Sequence, residues 1–359
     1  MLKILDRYIL KRYLGTFSVM LLLFIPIGIM VDLSSKVDNL LENNAPLGKT
    51  IYFYFNFTIY IGYLLFPLFL FLSVIWFTSK LANKTEIVAI LSSGISFSRF
   101  LRPYLIGASF IGVFFFFVGM YVLPNSSKEY NEFKYEYINP DRKTRETTNV
   151  YRQINDNDYL YVSSFDSKNK QAYNFTLEHF EDNVLKYKIE ATKIKFQEKD
   201  TSYRLTNYVK RNIGKYHDDI IRKTRKDTVF SFDLDDLAPV NYIAETLNNR
   251  ELDVFIEKEK QRGSSYVSRY EIVKYKRWSI PVSAFILTII AVAVSAMKRR
   301  GGMGVNLAFG IALAFVFIFI DKIFTVMADQ SGFNPLLAVW LPNITFGILA
   351  IILLNNAKR

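Results

Sequence analysis

Six runs of apolar residues, each long enough to cross a bilayer, constrain what this chain can fold into. A helix needs ~20 mostly apolar residues to traverse the hydrocarbon core. The runs are Tyr13–Val31, Ile51–Thr78, Tyr104–Leu123, Trp278–Met297, Val305–Met327 and Leu336–Leu354. In lipid the backbone must satisfy its own hydrogen bonds, so runs of this length read as six transmembrane helices. The polar stretch 125–277 contains no such run. The expected plan is an N-terminal membrane half in residues 1–124, a soluble domain in 125–277, and a C-terminal membrane half in 278–359. The first run has the basic start of a secretory signal, with Lys3, Arg7, Lys11 and Arg12. It is too long for a signal core, and no small-x-small site follows Val31, so a retained span with a short interfacial helix before it is expected.

The net charge of +12 could mark nucleic acid, anionic lipid or membrane topology, and its location decides. Outside residues 125–277 there are 16 Lys and Arg against 7 Asp and Glu; inside there are 29 against 26. Thirteen of the 16 fall in four segments: the N-terminus, residues 80–103, residues 298–304 and the tail. With six spans these segments share one side, which the positive-inside rule makes cytoplasmic. Both termini are then expected inside and residues 125–277 outside. A nucleic-acid partner is not expected.

Within 125–277, the segments 158–165, 173–180, 185–191 and 228–233 alternate apolar with polar residues. Turn residues separate them, and the pattern predicts an antiparallel sandwich or roll. Residues 245–261 read as a helix ended by Gly263. The fold class is therefore membrane α-helical with an inserted extracytoplasmic antiparallel β domain.

Chemistry-bearing patterns are few. There is no cysteine, so no disulfide or thiolate site exists, and the two histidines, His179 and His217, offer little to a triad or metal centre. Gly48-Lys49-Thr50 resembles the end of a P-loop, but Asn43 stands where its first glycine belongs. Gly302-Met303-Gly304 begins a dinucleotide pattern, but Leu307 replaces the third glycine. No catalytic residue, cofactor site or metal site is assigned, and no ATPase is expected in this chain.

The loop 80–103 carries more. Asn83 with Glu86 three residues on has capping-box spacing, Ile87, Ile90 and Leu91 form one apolar face, and Gly94 ends the helix. Such a helix, about residues 83–93, either docks into a groove on a partner or lies on the membrane surface. In the fifth span, Asp321 and Lys322 are a candidate intramembrane ion pair, functional or structural, since ionisable groups inside a span are costly. Pro26, Pro67 and Pro281 can kink their helices. Ala108 with Gly112, and Ala308 with Ala312, have the spacing for close helix packing.

In order along the chain, Leu5-Asp6-Arg7-Tyr8-Ile9, residues 81–86 through 93–96 to Pro103, Val122-Leu123-Pro124, residues 270–281 and Trp340-Leu341-Pro342-Asn343 resemble the lipopolysaccharide-export permeases of LptF/LptG (YjgP/YjgQ) type. The compact outer domain and the opening motif lean to the LptG type. The resemblance implies a bacterial inner-membrane transport subunit with a β-jellyroll-like periplasmic domain. It also implies a homologous permease as heterodimer partner, an ABC ATPase dimer that carries the ATP and Mg, and periplasmic bridge proteins that receive lipopolysaccharide. By the same resemblance Glu86, Ile87, Ile90, Leu91 and Gly94 form the ATPase-coupling segment, and spans one and five line the lipid cavity. Lys36, Lys49 and Lys128 are candidate headgroup contacts, although for any one of them alone an ordinary interfacial lysine is the simpler reading. Two other functions fit six spans and an outer domain. A membrane sensor needs a signalling output, and a secondary transporter needs inverted repeats and several buried ionisable groups.

Overall fold

The computed structural model describes residues 3–140, 148–166, 169–197, 200–230, 232, 240–296 and 302–357. The chain divides into two compact units. One comprises Met1–Pro140, Glu245–Asn249 and Ser268–Arg359; the other comprises Asp141–Ala244 and Arg250–Val267.

The first unit is a helical bundle. Its helices are α1 (Ile4–Glu42), α2 (Leu47–Asn83), the short α3 (Glu86–Ser92) and α4 (Phe97–Ile138). After the second unit and the small helices α5 (Ile243–Thr246) and α6 (Asn249–Gln261) come α7 (Val267–Ser295), α8 (Gly302–Gln330) and α9 (Pro335–Ala357). Six of these helices are long and apolar enough to cross a membrane, one for each run expected from the sequence. They outrun the bilayer. At ~1.5 Å per residue α1 is about 58 Å long, roughly twice the hydrocarbon thickness. The third span likewise does not stop near Leu123, because α4 continues to Ile138. Pro124 has no N–H to offer the carbonyl of Met120, and the helix absorbs this by widening over Val118–Val122, where the Leu123 N–H reaches back five residues to Val118 O.

Burial is uneven among the spans. Of the most apolar stretch of each, 67% is buried in α7 and 50% in α2, but only 6% in α1 and 11% in α8. The core is built from α2, α4 and α7, with Phe66, Leu70, Val74, Phe100, Tyr104 and Ile290 among its fully buried side chains. Leu22, Leu23 and Ile27 on α1, and Phe315, Val316 and Phe319 on α8, point away from it. Glycine sets the closest helix approach. A Cβ on Gly107 would lie 2.3 Å from a ring carbon of Tyr13, and one on Gly119 would lie 2.6 Å from the Tyr63 ring. Ala108 and Gly112 are buried, Gly112 against Phe285 and Pro281 of α7, whereas Ala308 and Ala312 are exposed and Gly310 between them is buried.

The second unit holds six strands in one antiparallel sheet, in the order β1-β2-β3-β4-β5-β6. They are β1 (Thr148–Gln153), β2 (Asp158–Asp166), β3 (Gln171–Glu181), β4 (Val184–Gln197), β5 (Ser202–Asn212) and β6 (Asp219–Thr228). Among the described strands each pairs with the next, as in a meander; the crossings between two sheets that define a jelly roll do not occur among them. Period-2 alternation puts Leu160 with Val162 and Phe175 with Leu177 in one buried cluster, which Leu205 and Tyr208 join because the left-handed Asn207, φ +54°, shifts the phase of β5 between them. The strand expected over 228–233 lies partly outside the described residues; among those described, β6 ends at Thr228, and Phe230 and Phe232 pack onto that cluster, stacked 4.9 Å apart. The last strand is instead the charged Asp219–Thr228, almost wholly exposed. An edge strand needs no apolar face, and its Arg and Lys residues oppose edge-to-edge aggregation. The helix expected over 245–261 is interrupted at residues 247–248, and Gly263, at φ +65°, lies just past its end.

Candidate functional site

At the end of the bundle where the chain begins, α1, α3 and α4 meet. Thr85, at φ 60°, separates α3 from α2. The capping box anticipated from Asn83 does not form, because Asn83 is the last residue of α2 and Thr85 precedes the first turn of α3. Gly94, at φ +85°, turns the chain from α3 toward α4. Ile87 is buried, and Ile90 and Leu91 pack against the bundle core, so this apolar face holds the helix down on its own unit. The face left outward carries Val88, Ala89 and Ser92. Glu86 accepts a hydrogen bond from the Tyr8 hydroxyl of α1 at 3.0 Å. Earlier on α1, Asp6 takes both guanidinium nitrogens of Arg99 at 2.6 Å, with its side chain 2% exposed. A forked Arg–carboxylate pair is geometrically specific, so α1 is tied to α3 through Glu86 and to the start of α4 through Arg99. The Asp6–Arg99 fork was not anticipated; Arg99 reads in sequence only as one basic residue of a basic segment.

The three candidate headgroup lysines each have a carboxylate neighbour. Lys36 pairs with Asp32, one helical turn back, and Asp32 also accepts from the Tyr54 hydroxyl at 3.4 Å. Lys49 lies 3.4 Å from Glu136 and 3.0 Å from the Tyr137 hydroxyl, and its ammonium sits over the Tyr137 ring. Lys128 and Glu132 are 4.0 Å apart on one helix face. A lipid phosphate at any of the three would compete with a carboxylate already in place.

Asp321 and Lys322 do not pair with each other, since neighbours in a helix point apart. Asp321 meets Lys276 of α7 at 2.8 Å. Lys322 has no carboxylate within 4.0 Å among the described residues.

Two further groups pin residues 245–249 onto the bundle. Glu245 accepts from Tyr60 at 3.4 Å and from Ser127 at 3.3 Å. Burial holds its carboxyl above the ordinary glutamate value, against the opposing pull of those two hydroxyls and of Lys134 and Arg277. The buried Arg277 donates to Leu247 O at 2.7 Å and to Asn249 Oδ1 at 3.1 Å. Glu245 carried no signal in the sequence beyond its place in an expected helix; Arg277 stood in a motif without a role.

The family model described as "Lipopolysaccharide export system permease LptF/LptG" matches residues 7–356. The chain is also similar to the lipopolysaccharide export system permease protein LptG of Haemophilus influenzae, 21% identical over 370 residues and covering 100% of each.

Proposed function

The chain belongs to the LptF/LptG family of lipopolysaccharide export system permeases, and from that membership we propose that it is one permease of an ATP-driven exporter that lifts lipopolysaccharide from the inner membrane and passes it to a periplasmic bridge. It is a multi-pass membrane transport subunit, not an enzyme. In this reading the N- and C-termini are cytoplasmic, the β unit is periplasmic, a homologous permease pairs with the chain, and a separate ATPase dimer binds its cytoplasmic loops.

The observation that carries the reading is the uneven burial. The most apolar stretches of α1 and α8 are only 6% and 11% buried within the subunit, which leaves both helices free to wall an apolar space with a second subunit. Two such subunits facing each other would enclose an apolar space walled by these helices, suited to acyl chains. The contacts of α3 then supply the drive. A partner pressing on Val88, Ala89 and Ser92 moves α3 as a unit, because Ile87, Ile90 and Leu91 fix it from below. The Glu86–Tyr8 hydrogen bond passes that movement directly to α1, a wall of the proposed cavity, and the Asp6–Arg99 fork ties the start of α4 to the same helix. ATPase closure would thus narrow the cavity without a relay through the buried core.

The test is Glu86→Ala in the reconstituted complex, with Tyr8→Phe beside it. Glu86→Ala is expected to leave ATP hydrolysis running while lipid release falls by tenfold or more, and Tyr8→Phe, which removes only the hydrogen bond, to fall between it and wild type. Normal lipid release by Glu86→Ala with the ATPase still bound would sink the coupling assignment.

A further inference from the structure

Between α2, α7, α8 and α9 lies a cavity of about 400 Å³. Its lower wall is hydrocarbon: Leu64, Leu65, Leu68 and Phe71 from α2, with Leu287 and Phe317 opposite. Its rim is ionic. Lys276 and Asp321 neutralise one another at 2.8 Å, and Lys322, which also lines the cavity, has no acidic partner among the described residues, so the rim carries one net positive charge. Asn343 of α9 lines the same space. It is 5% exposed; its amide nitrogen donates to Val339 O at 3.3 Å, and its Oδ1 has no hydrogen-bond partner. A buried acceptor left unpaired is costly and calls for a donor.

These features define a ligand. The walls are spans, so it arrives from the bilayer. The hydrocarbon wall requires an acyl chain, and the volume, near the bottom of the ~300–1,000 Å³ range of small-molecule sites, holds one chain and excludes a multi-chain lipid. The uncompensated lysine requires an anion, for which a lysine acts as a point charge. The unpaired Asn343 carbonyl requires a hydroxyl or amide donor close to the head. We propose that this cavity binds one single-chain anionic amphiphile with a hydroxyl near its phosphate, of the lysophosphatidylglycerol type, with phosphate at Lys322 and the chain along Leu64–Phe71. The site lies within one subunit and does not rest on the export reading; it would be a resident-lipid site, too small for a many-chained cargo.

The full-length chain, purified with the subunits that accompany it, is placed in nanodiscs and titrated with lysophosphatidylglycerol, read by native mass spectrometry. The parallel arms are lysophosphatidylcholine, inorganic phosphate and lipopolysaccharide. One lysophosphatidylglycerol per chain is expected, about tenfold tighter than the zwitterionic analogue. Lys322→Glu, at an exposed position, should abolish that preference, and Ala314→Phe, which fills the cavity floor, should abolish binding. If Ala314→Phe fails to fold, Lys322→Glu and Asn343→Leu carry the test. Equal binding of both lysolipids, displacement by phosphate alone at matching concentration, or displacement by lipopolysaccharide one for one would each overturn the assignment.

Discussion

Glu245 and Arg277 hold the same short segment by opposite means, and their responses to mutation differ in sign. The folded state keeps a proton on Glu245 to a higher pH than the unfolded chain, whose ordinary value is about 4.5. The native state therefore binds more protons than the unfolded state as pH rises from about 4.5 through the raised folded value, and this residue's contribution to stability falls over that window. Glu245→Gln keeps an acceptor for Tyr60 and Ser127 without the buried charge. Melting curves between pH 4.5 and 8 should show the variant gaining stability over wild type as pH rises, with the difference vanishing at the acid end; parallel curves would remove the burial argument. Arg277→Ala has no such benefit. It strips the hydrogen bonds to Leu247 O and Asn249 Oδ1 from a charged, buried donor, a loss of about 2–3 kcal/mol, read as a lower melting temperature at every pH. Neither role was legible in the sequence, because both partners lie far along the chain. Burial and a 3 Å contact are tertiary facts that no local spacing encodes. The same holds for Asp6 and Arg99, and for Lys276 rather than Lys322 as the partner of Asp321.

At the level of elements, length and period were readable and partners were not. The six apolar runs became six long helices because in a bilayer hydrophobic length alone selects a spanning helix. β2, β3 and β4 follow their alternation because one face of the sheet is buried. β1, β5 and β6 escaped detection. β1 and β6 lie at the sheet edges, where the alternation lapses and Asp219–Thr228 reads as a charged loop, while in the interior strand β5 the left-handed Asn207, φ +54°, breaks the alternation. The end of α3 was legible from Gly94, but its start was not, since Thr85 adopts a conformation that a β-branched residue seldom takes. Small-residue spacing was a partial guide. Gly107, not part of either noted pair, packs directly under the Tyr13 ring, so Gly107→Ala must displace that ring and should cost about 1–3 kcal/mol as overpacking. Ala308→Leu, on the exposed face of α8, should leave the melting temperature of the isolated subunit unchanged, and a large loss there would mean that α8 packs differently.

At the scale of the whole molecule, the orientation of the chain and the surface that covers α1 and α8 are both directly measurable, because the sequence has no cysteine. A single introduced cysteine is then the only thiol in the chain, so its reactivity reports one position. Tyr216 is 84% exposed in the β unit, and Ser92 lies on the outward face of α3. In cells with only the outer membrane opened, a membrane-impermeant maleimide should label Tyr216→Cys at once and Ser92→Cys only after the inner membrane is broken. The reverse order would invert the orientation inferred from the thirteen clustered basic residues. Leu22 and Phe319, 72% and 66% exposed on α1 and α8, distinguish contact with bulk lipid from a wall shared with a second subunit. If these helices merely face bulk lipid, Leu22→Cys and Phe319→Cys should react equally with a lipid-phase probe and form no protein crosslink. If they wall a space shared with a second permease, they should crosslink to that subunit and, with photoreactive groups, to lipopolysaccharide. Ala291→Cys, at 0% exposure in the core of α7, is the silent control in both cases. Under the proposed pairing, the apolar surfaces on α1 and α8 are covered by a second subunit rather than by bulk lipid alone. Crosslinks to a homologous six-span chain are therefore the expected result.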